Sequence, residues 1–114
     1  MQEWPLITSA ILRHAARHHA RQTVVSQLVE GPRHEQTFLQ LYVRCVRLAL
    51  ALRRLGCKTG DVVATMAWNT HRHMECWHTL MAEGLVCHTL NPRLFLAQLE
   101  YIANEAKARD TAVR

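Results

Sequence analysis

A chain of 114 residues, 49% of them hydrophobic, suffices for one small domain or part of a larger one and is too apolar to stay disordered. Its 14 Lys+Arg against 9 Asp+Glu give a formal charge of +5, almost all of it arginine spread along the chain. Arg13, Arg17 and Arg21 fall at helical spacing, as do Arg44, Arg47 and Arg54; these read as wet helix faces, because a nucleic-acid footprint needs clustered charge beside aromatics.

The start, Met1-Gln2-Glu3-Trp4-Pro5, is acidic and proline-broken, unlike the basic then apolar opening of a secretory leader. No apolar run nears the ~20 residues of a bilayer span. The expectation is a cytoplasmic protein without a transmembrane segment. From Pro5 to about Arg21 the spacing predicts a helix with Ile7, Ile11, Ala15 and His18 on one face. Thr23 to Val29, a Glu30-Gly31-Pro32 break and the polar run Arg33 to Gln36 predict a β-hairpin.

Thr37 then opens a long helix. With Gln40 three residues on it forms a capping box, which satisfies amides that a first turn leaves open. Phe38, Leu41, Tyr42, Cys45, Leu48, Ala49, Leu52 and Leu55 keep one apolar face, and Gly56 follows where a left-handed cap is favoured. After a turn at Lys58 to Asp61, Val62 to Trp68 reads as a buried strand. Asn69 is expected to cap a helix from Thr70 to about Glu83, with Met74, Trp77, Leu80 and Met81 inward. Gly84 ends it. Leu85 to Leu90 is a second short strand, Asn91-Pro92-Arg93 breaks the chain, and a last helix carries Phe95, Leu99, Ile102 and Ala106 on one face. Asp110 to Arg114 looks like the start of a further strand.

Strand, helix, strand at these lengths is a βαβ unit with a parallel crossover. Its strand ends are Trp68-Asn69 and Asn91-Pro92-Arg93, and open α/β sheets gather ligands just beyond such ends. Cys45, Cys57, Cys76 and Cys87 contain no C-x-x-C pair and read as reduced thiols, with Cys45 and Cys87 in the core. His14 and His18 lie four apart, but Ala15 stands where a metalloprotease helix carries glutamate. His71, His73, Cys76 and His78 are denser, yet three or four ligands rarely converge from one short helix. No metal site is assigned.

The run from Leu52 through Gly56, Gly60, Asp61 and Val62 to Ala64 resembles the opening of adenylate-forming (AMP-binding) enzymes, where a long helix leads through L-G-x-x-x-G-D into a core strand. Ala67-Trp68-Asn69-Thr70 with His73 is similar to one branch, the bacterial medium- and long-chain fatty acid–CoA ligases. So is Cys87-His88-Thr89-Leu90-Asn91-Pro92-Arg93-Leu94-Phe95, followed by Gln98-Leu99 and Tyr101-Ile102. The likeness runs from Trp4 to about Ala108. It departs at Cys76, Trp77 and His78, where small or apolar residues are common, and in the tail from Asp110.

The resemblance implies an α/β fold: residues 1–114 as the N-terminal part of the large AMP-binding domain of an adenylate-forming enzyme, incomplete as a domain. For the whole enzyme it implies ATP, Mg2+ and coenzyme A, and a fatty acid or other carboxylate joined first to AMP and then to the thiol. The family's glycine-rich phosphate loop, its Thr-Glu pair, its ribose-binding Asp and its C-terminal lysine have no match here. No catalytic, cofactor-binding or metal residue is carried over, and the chain alone is expected to be inactive. Trp68, Asn69, Asn91 and Arg93 are taken as substrate-proximal, with a turn-setting role open for the Asn91 segment. Trp68 and Trp77 are expected in the core rather than along an acyl tunnel. A non-catalytic interaction module, a small His/Cys metal-binding protein and a homodimer remain open.

Overall fold

The computed structural model describes residues 3, 5–29, 31–107 and, as backbone alone, 109–113. Trp4 of the resemblance's start, Glu30 of the hairpin break, Ala108 and Arg114 lie outside the described residues. Element order is α1 (Thr8–His18), β1 (Thr23–Ser26), β2 (His34–Thr37), α2 (Phe38–Arg54), β3 (Val62–Met66), α3 (His71–Ala82), β4 (Val86–Leu90), α4 (Leu96–Glu105) and β5 (Arg109–Val113). β1 and β2 form the expected hairpin, antiparallel from Thr23 opposite Thr37 to Ser26 opposite His34. β4, β3 and β5 form a parallel sheet with β3 central, so the expected βαβ unit and the further strand are both present.

Helix α2 is the spine. Thr37 Oγ1 accepts the Gln40 amide at 3.2 Å and Gln40 Oε1 accepts the Thr37 amide at 2.8 Å, the capping box read from sequence. Beyond the helix, Gly56 takes φ +78°, a left-handed turn that costs glycine little. One end of α2 enters a core of Leu12, Leu41 and Cys45, with Val24, Phe38, Tyr42 and Met74 packed around it. The other end places Leu52 against Val63, Leu80 and Leu85, with Leu48, Cys57 and Cys87 alongside. Leu55, expected on this face, is 64% exposed, because the helix has already ended at Arg54.

Three expectations are corrected. In α1 the buried side chain is Leu12, with Ser9 and Ala16 beside it, while Ile7, Ile11 and His18 face solvent. The row that packs is i, i+3, i+7, and its short members let α1 approach α2 and α3. In α3 the N-cap is Thr70 rather than Asn69, and it makes no side-chain cap bond. The fully buried face of α3 is His71, Glu75, Thr79 and Leu80; of the residues expected inward Leu80 is buried and Met74 packs at the edge of the core, while Met81 is only half-buried and Trp77 is exposed.

That polar face is buried because α2 supplies its partners. Glu75, only 6% exposed, accepts from Arg44 Nε at 2.5 Å. Thr79 Oγ1 donates to the Glu75 carbonyl at 2.6 Å and lies 3.3 Å from the Cys45 carbonyl. Arg53 pairs with Glu83 through two nitrogens. Arg44 is therefore an interhelical partner rather than part of a wet stripe. At the start of α3 the His71 ring stacks on His34 of the hairpin, centroids 3.8 Å apart. Burial pushes the His71 pKa down, the His34 charge adds to that, and Glu75 opposes it.

Two consequences are measurable in urea unfolding. Arg44→Met leaves a buried carboxylate unpaired and is expected to cost roughly 2–3 kcal/mol, less than for a fully enclosed pair because Arg44 is half exposed. Glu75→Gln keeps a hydrogen-bonding group and leaves a solvated arginine, so a loss of about 1 kcal/mol is expected; equal or reversed losses would contradict the pairing. For His71 the unfolded chain takes its proton first, near the ordinary 6.5. Stability should hold above that pH and fall as pH drops from it toward the lower folded value. His71→Phe should flatten that slope, and an unchanged slope would show that the stack does not govern it.

Candidate functional site at the carboxyl ends of the parallel strands

Parallel strands deliver their carboxyl ends to the same edge of a sheet. β3 and β4 pair in register from Val62 opposite Val86 to Met66 opposite Leu90, so the segments after them emerge side by side. Strand order reverses at β3, the kind of position where open α/β sheets bind ligands. Here the four substrate-proximal residues read from sequence come together. Trp68, Asn69, Asn91 and Arg93 line one cavity of about 430 Å³ with Ala67, His73 and Thr89.

Local chemistry sets each position. The Thr70 amide donates to the Trp68 carbonyl at 2.7 Å, closing a tight turn that points the chain into α3. Asn91 Oδ1 accepts the Arg93 amide at 3.0 Å, and the Asn91 carbonyl accepts the Leu94 amide at 3.2 Å. With Pro92 at the second position, this is the side-chain-braced turn that asparagine and proline favour. Asn91 thus sets the turn and lines the cavity as well. The Arg93 guanidinium carbon sits 5.3 Å from the Trp68 ring centroid, within range of a cation–π contact.

Two neighbouring cavities share walls with this one. One of about 480 Å³ reaches the hairpin through Val24, Ser26, Met74 and Trp77. The other, about 500 Å³, includes Thr65, Met66, Trp68 and Cys76. His73 lines all three, and its Nε2 lies 3.3 Å from Thr65 Oγ1. His73 and Thr89 were missed as site residues. The signal was available: Thr89 follows from the parallel register opposite Thr65, and His73 lies on the first turn of the helix that leaves the site. Trp68 and Trp77, expected in the core, are 47% and 44% exposed and line the clefts instead.

The titratable groups around the site are not primed as nucleophiles. Burial raises the pKa of Cys76, reinforced by Glu75 and the neighbouring thiols. Burial raises Cys87 too, with a hydrogen bond from Thr65 opposing it, and Cys45 is raised for the same first reason. A reactive thiol requires the opposite shift. The histidine-rich start of α3 diverges: His71 stacks on His34, His73 turns to Thr65, and burial lowers the His78 pKa. The His14 and His18 rings lie 4.5 Å apart. Among the described residues no three His, Cys, Asp or Glu side chains are placed to hold a metal ion, and no helix is long and apolar enough to cross a membrane.

Comparison with known proteins gives this arrangement its context. The profile of the AMP-binding enzyme family matches residues 12–110. A 3-methylmercaptopropionyl-CoA ligase of Ruegeria lacuscaerulensis is 38% identical over 109 residues, covering 96% of this chain and 20% of that protein. A medium-chain-fatty-acid–CoA ligase of Ectopseudomonas oleovorans is 38% identical over 102 residues, covering 90% of this chain and 19% of its own. The chain therefore spans about a fifth of the length of these relatives. Among solved structures, a fatty acid AMP ligase from Legionella pneumophila shares the fold, with TM-score 0.80 and 18% identity over 90% of this chain and 18% of that one. With the family profile matched over nearly its whole length, the chain belongs to the AMP-binding enzymes.

Proposed function

We propose that residues 1–114 form the opening part of the large domain of a fatty acid–CoA ligase acting in the cytoplasm, and that this part does not carry out the reaction alone. The observation that carries the reading is 38% identity to a CoA ligase over 96% of the chain, which yet corresponds to only 20% of that ligase. In the whole enzyme a carboxylate oxygen attacks the α-phosphorus of ATP, releasing pyrophosphate and forming an acyl-adenylate. The thiol of coenzyme A then attacks the acyl carbon and AMP leaves.

Within this scheme the chain supplies scaffold and one wall of the substrate region. Trp68, Asn69, Asn91 and Arg93 are its contribution, at the carboxyl end of the sheet. Magnesium prefers carboxylate oxygens. The cleft has none among its lining residues, so this part does not fit the metal and no step is derived through it. Lys58 and Lys107 are the only lysines, and neither follows a glycine-rich loop. Helix α4 supports the same reading: Phe95 is 81% exposed and Leu96 and Tyr101 stand out beside it, an apolar surface suited to cover by further protein.

The test is fatty-acid-dependent ATP–pyrophosphate exchange, with octanoate as the first acid. The 114-residue chain should show none above background, and the gene product that contains it together with downstream sequence should show it. Exchange by the 114-residue chain would overturn the assignment of a non-catalytic part. Absence of exchange in the longer product with aliphatic, aromatic and thioether acids would overturn the ligase reading.

A further inference from the structure

Helix α2 carries two apolar faces. Leu41, Cys45 and Leu52 are buried in the protein, while Leu39, Val43, Val46 and Leu50 stand 39–49% exposed. Helical periodicity puts the two rows on nearly opposite sides. The exposed row is spaced four, three, four, the seam with which one helix receives another. From Leu39 to Leu50 it runs about 17 Å, three turns of helix. Arg47 and Arg54, seven apart and exposed, follow one border of this row. Tyr42 lies on the other border, where α1 and α2 enclose a groove of about 570 Å³ that Leu39 also lines and that Arg13 and Arg17 edge.

Neither α1 nor α2 contains an Asp or Glu. Arg44 and Arg53 take their partners from α3. Among the described residues Arg13, Arg17, Arg47 and Arg54 make no ion pair. An apolar seam between two lines of unpaired cations is complementary to a helix with an apolar seam and acidic borders. The α2 of a second copy would bring arginine against arginine, which disfavours that occupant. A flat bilayer would meet the ridge of α2 but not the groove, and the exposed row offers no aromatic side chain to insert.

We propose that the outer face of α2, with the groove beside it, is a docking surface for an acidic amphipathic helix of a partner protein. Leu39, Val43, Val46 and Leu50 receive its apolar seam, and the four unpaired arginines meet its carboxylates. Each exposed ion pair contributes little alone, so the arginines set which helix is chosen more than how tightly it is held. Nothing in this surface depends on which acid, or which reaction, the whole protein serves.

The test uses two designed helical peptides of three heptads with leucine seams, one bordered by glutamate and one by lysine, followed by fluorescence anisotropy. Both the 114-residue chain and the longer gene product that contains it are titrated. The glutamate peptide should bind both about tenfold or more tighter than the lysine peptide, and added salt should narrow that gap. Val46→Asp, an acid in the middle of the seam, should weaken binding about tenfold. Arg47→Glu with Arg54→Glu should turn the preference toward the lysine peptide, a result that loss of folding cannot mimic. Should that variant not fold, Arg47→Gln with Arg54→Gln decides, with the preference cut about threefold or more. Equal binding of the two peptides, no binding of either, or a preference unmoved by the arginine variants would overturn the proposal. So would binding by the 114-residue chain with none by the longer product, which would assign the face to the protein's own downstream sequence. Self-association abolished by Val46→Asp would assign it instead to a second copy, and capture by phosphatidylserine vesicles without peptide binding to a membrane; either result also overturns the proposal.

Discussion

The buried carboxylate of Glu75 is the constraint on which the rest depends. A charge that is 6% exposed is tolerated only when paired, and its partner Arg44 lies on another helix 31 residues earlier in the chain. Satisfying it fixes α3 against α2, and Thr79 and the Arg53–Glu83 pair hold the same two helices further along. Because α2 also reaches into both apolar clusters, this contact locks the helical layer to the parallel sheet. The first turn of α3 is then placed beside the ends of β3 and β4, and the cleft exists because of that placement.

The cleft itself is built by two short turns rather than by regular elements. Trp68 and Asn69 leave β3 through a turn closed by one backbone bond, and Arg93 leaves β4 through a turn braced by Asn91. Rigid strands set the spacing of these turns, and the turns aim the side chains. This is the usual division of labour in open α/β sheets, where loops carry chemistry on a scaffold that does not move.

Much of this was legible in the sequence where one residue type has one local use. The Thr37–Gln40 box, Gly56, the Asn91-Pro92 turn and the strand-helix-strand rhythm all declare themselves, since their physics is contained within a few residues. The faces of α1 and α3 did not. Apolar periodicity assumes that burial selects apolar side chains, and it favoured Ile11 over Leu12 and Trp77 over Glu75. Leu12 wins because Ser9 and Ala16 beside it permit close approach, which depends on the neighbouring helices. Glu75 and Thr79 win because acceptors and donors wait for them on α2, information that no local window contains. The four residues expected near substrate were chosen from strand ends and line one cavity, while His73 and Thr89, which line it too, follow from the parallel register and the first turn of α3.

The apolar side of α4 and the half-exposed tryptophans are surfaces that a longer protein would cover. The central proposal is that this chain forms the front of a ligase several times its length. The most direct measurement is the size of the native product in its source cell, by immunoblot against this segment. The account predicts a band several times heavier than a 114-residue chain. A single band at the mass of the 114-residue chain would contradict it.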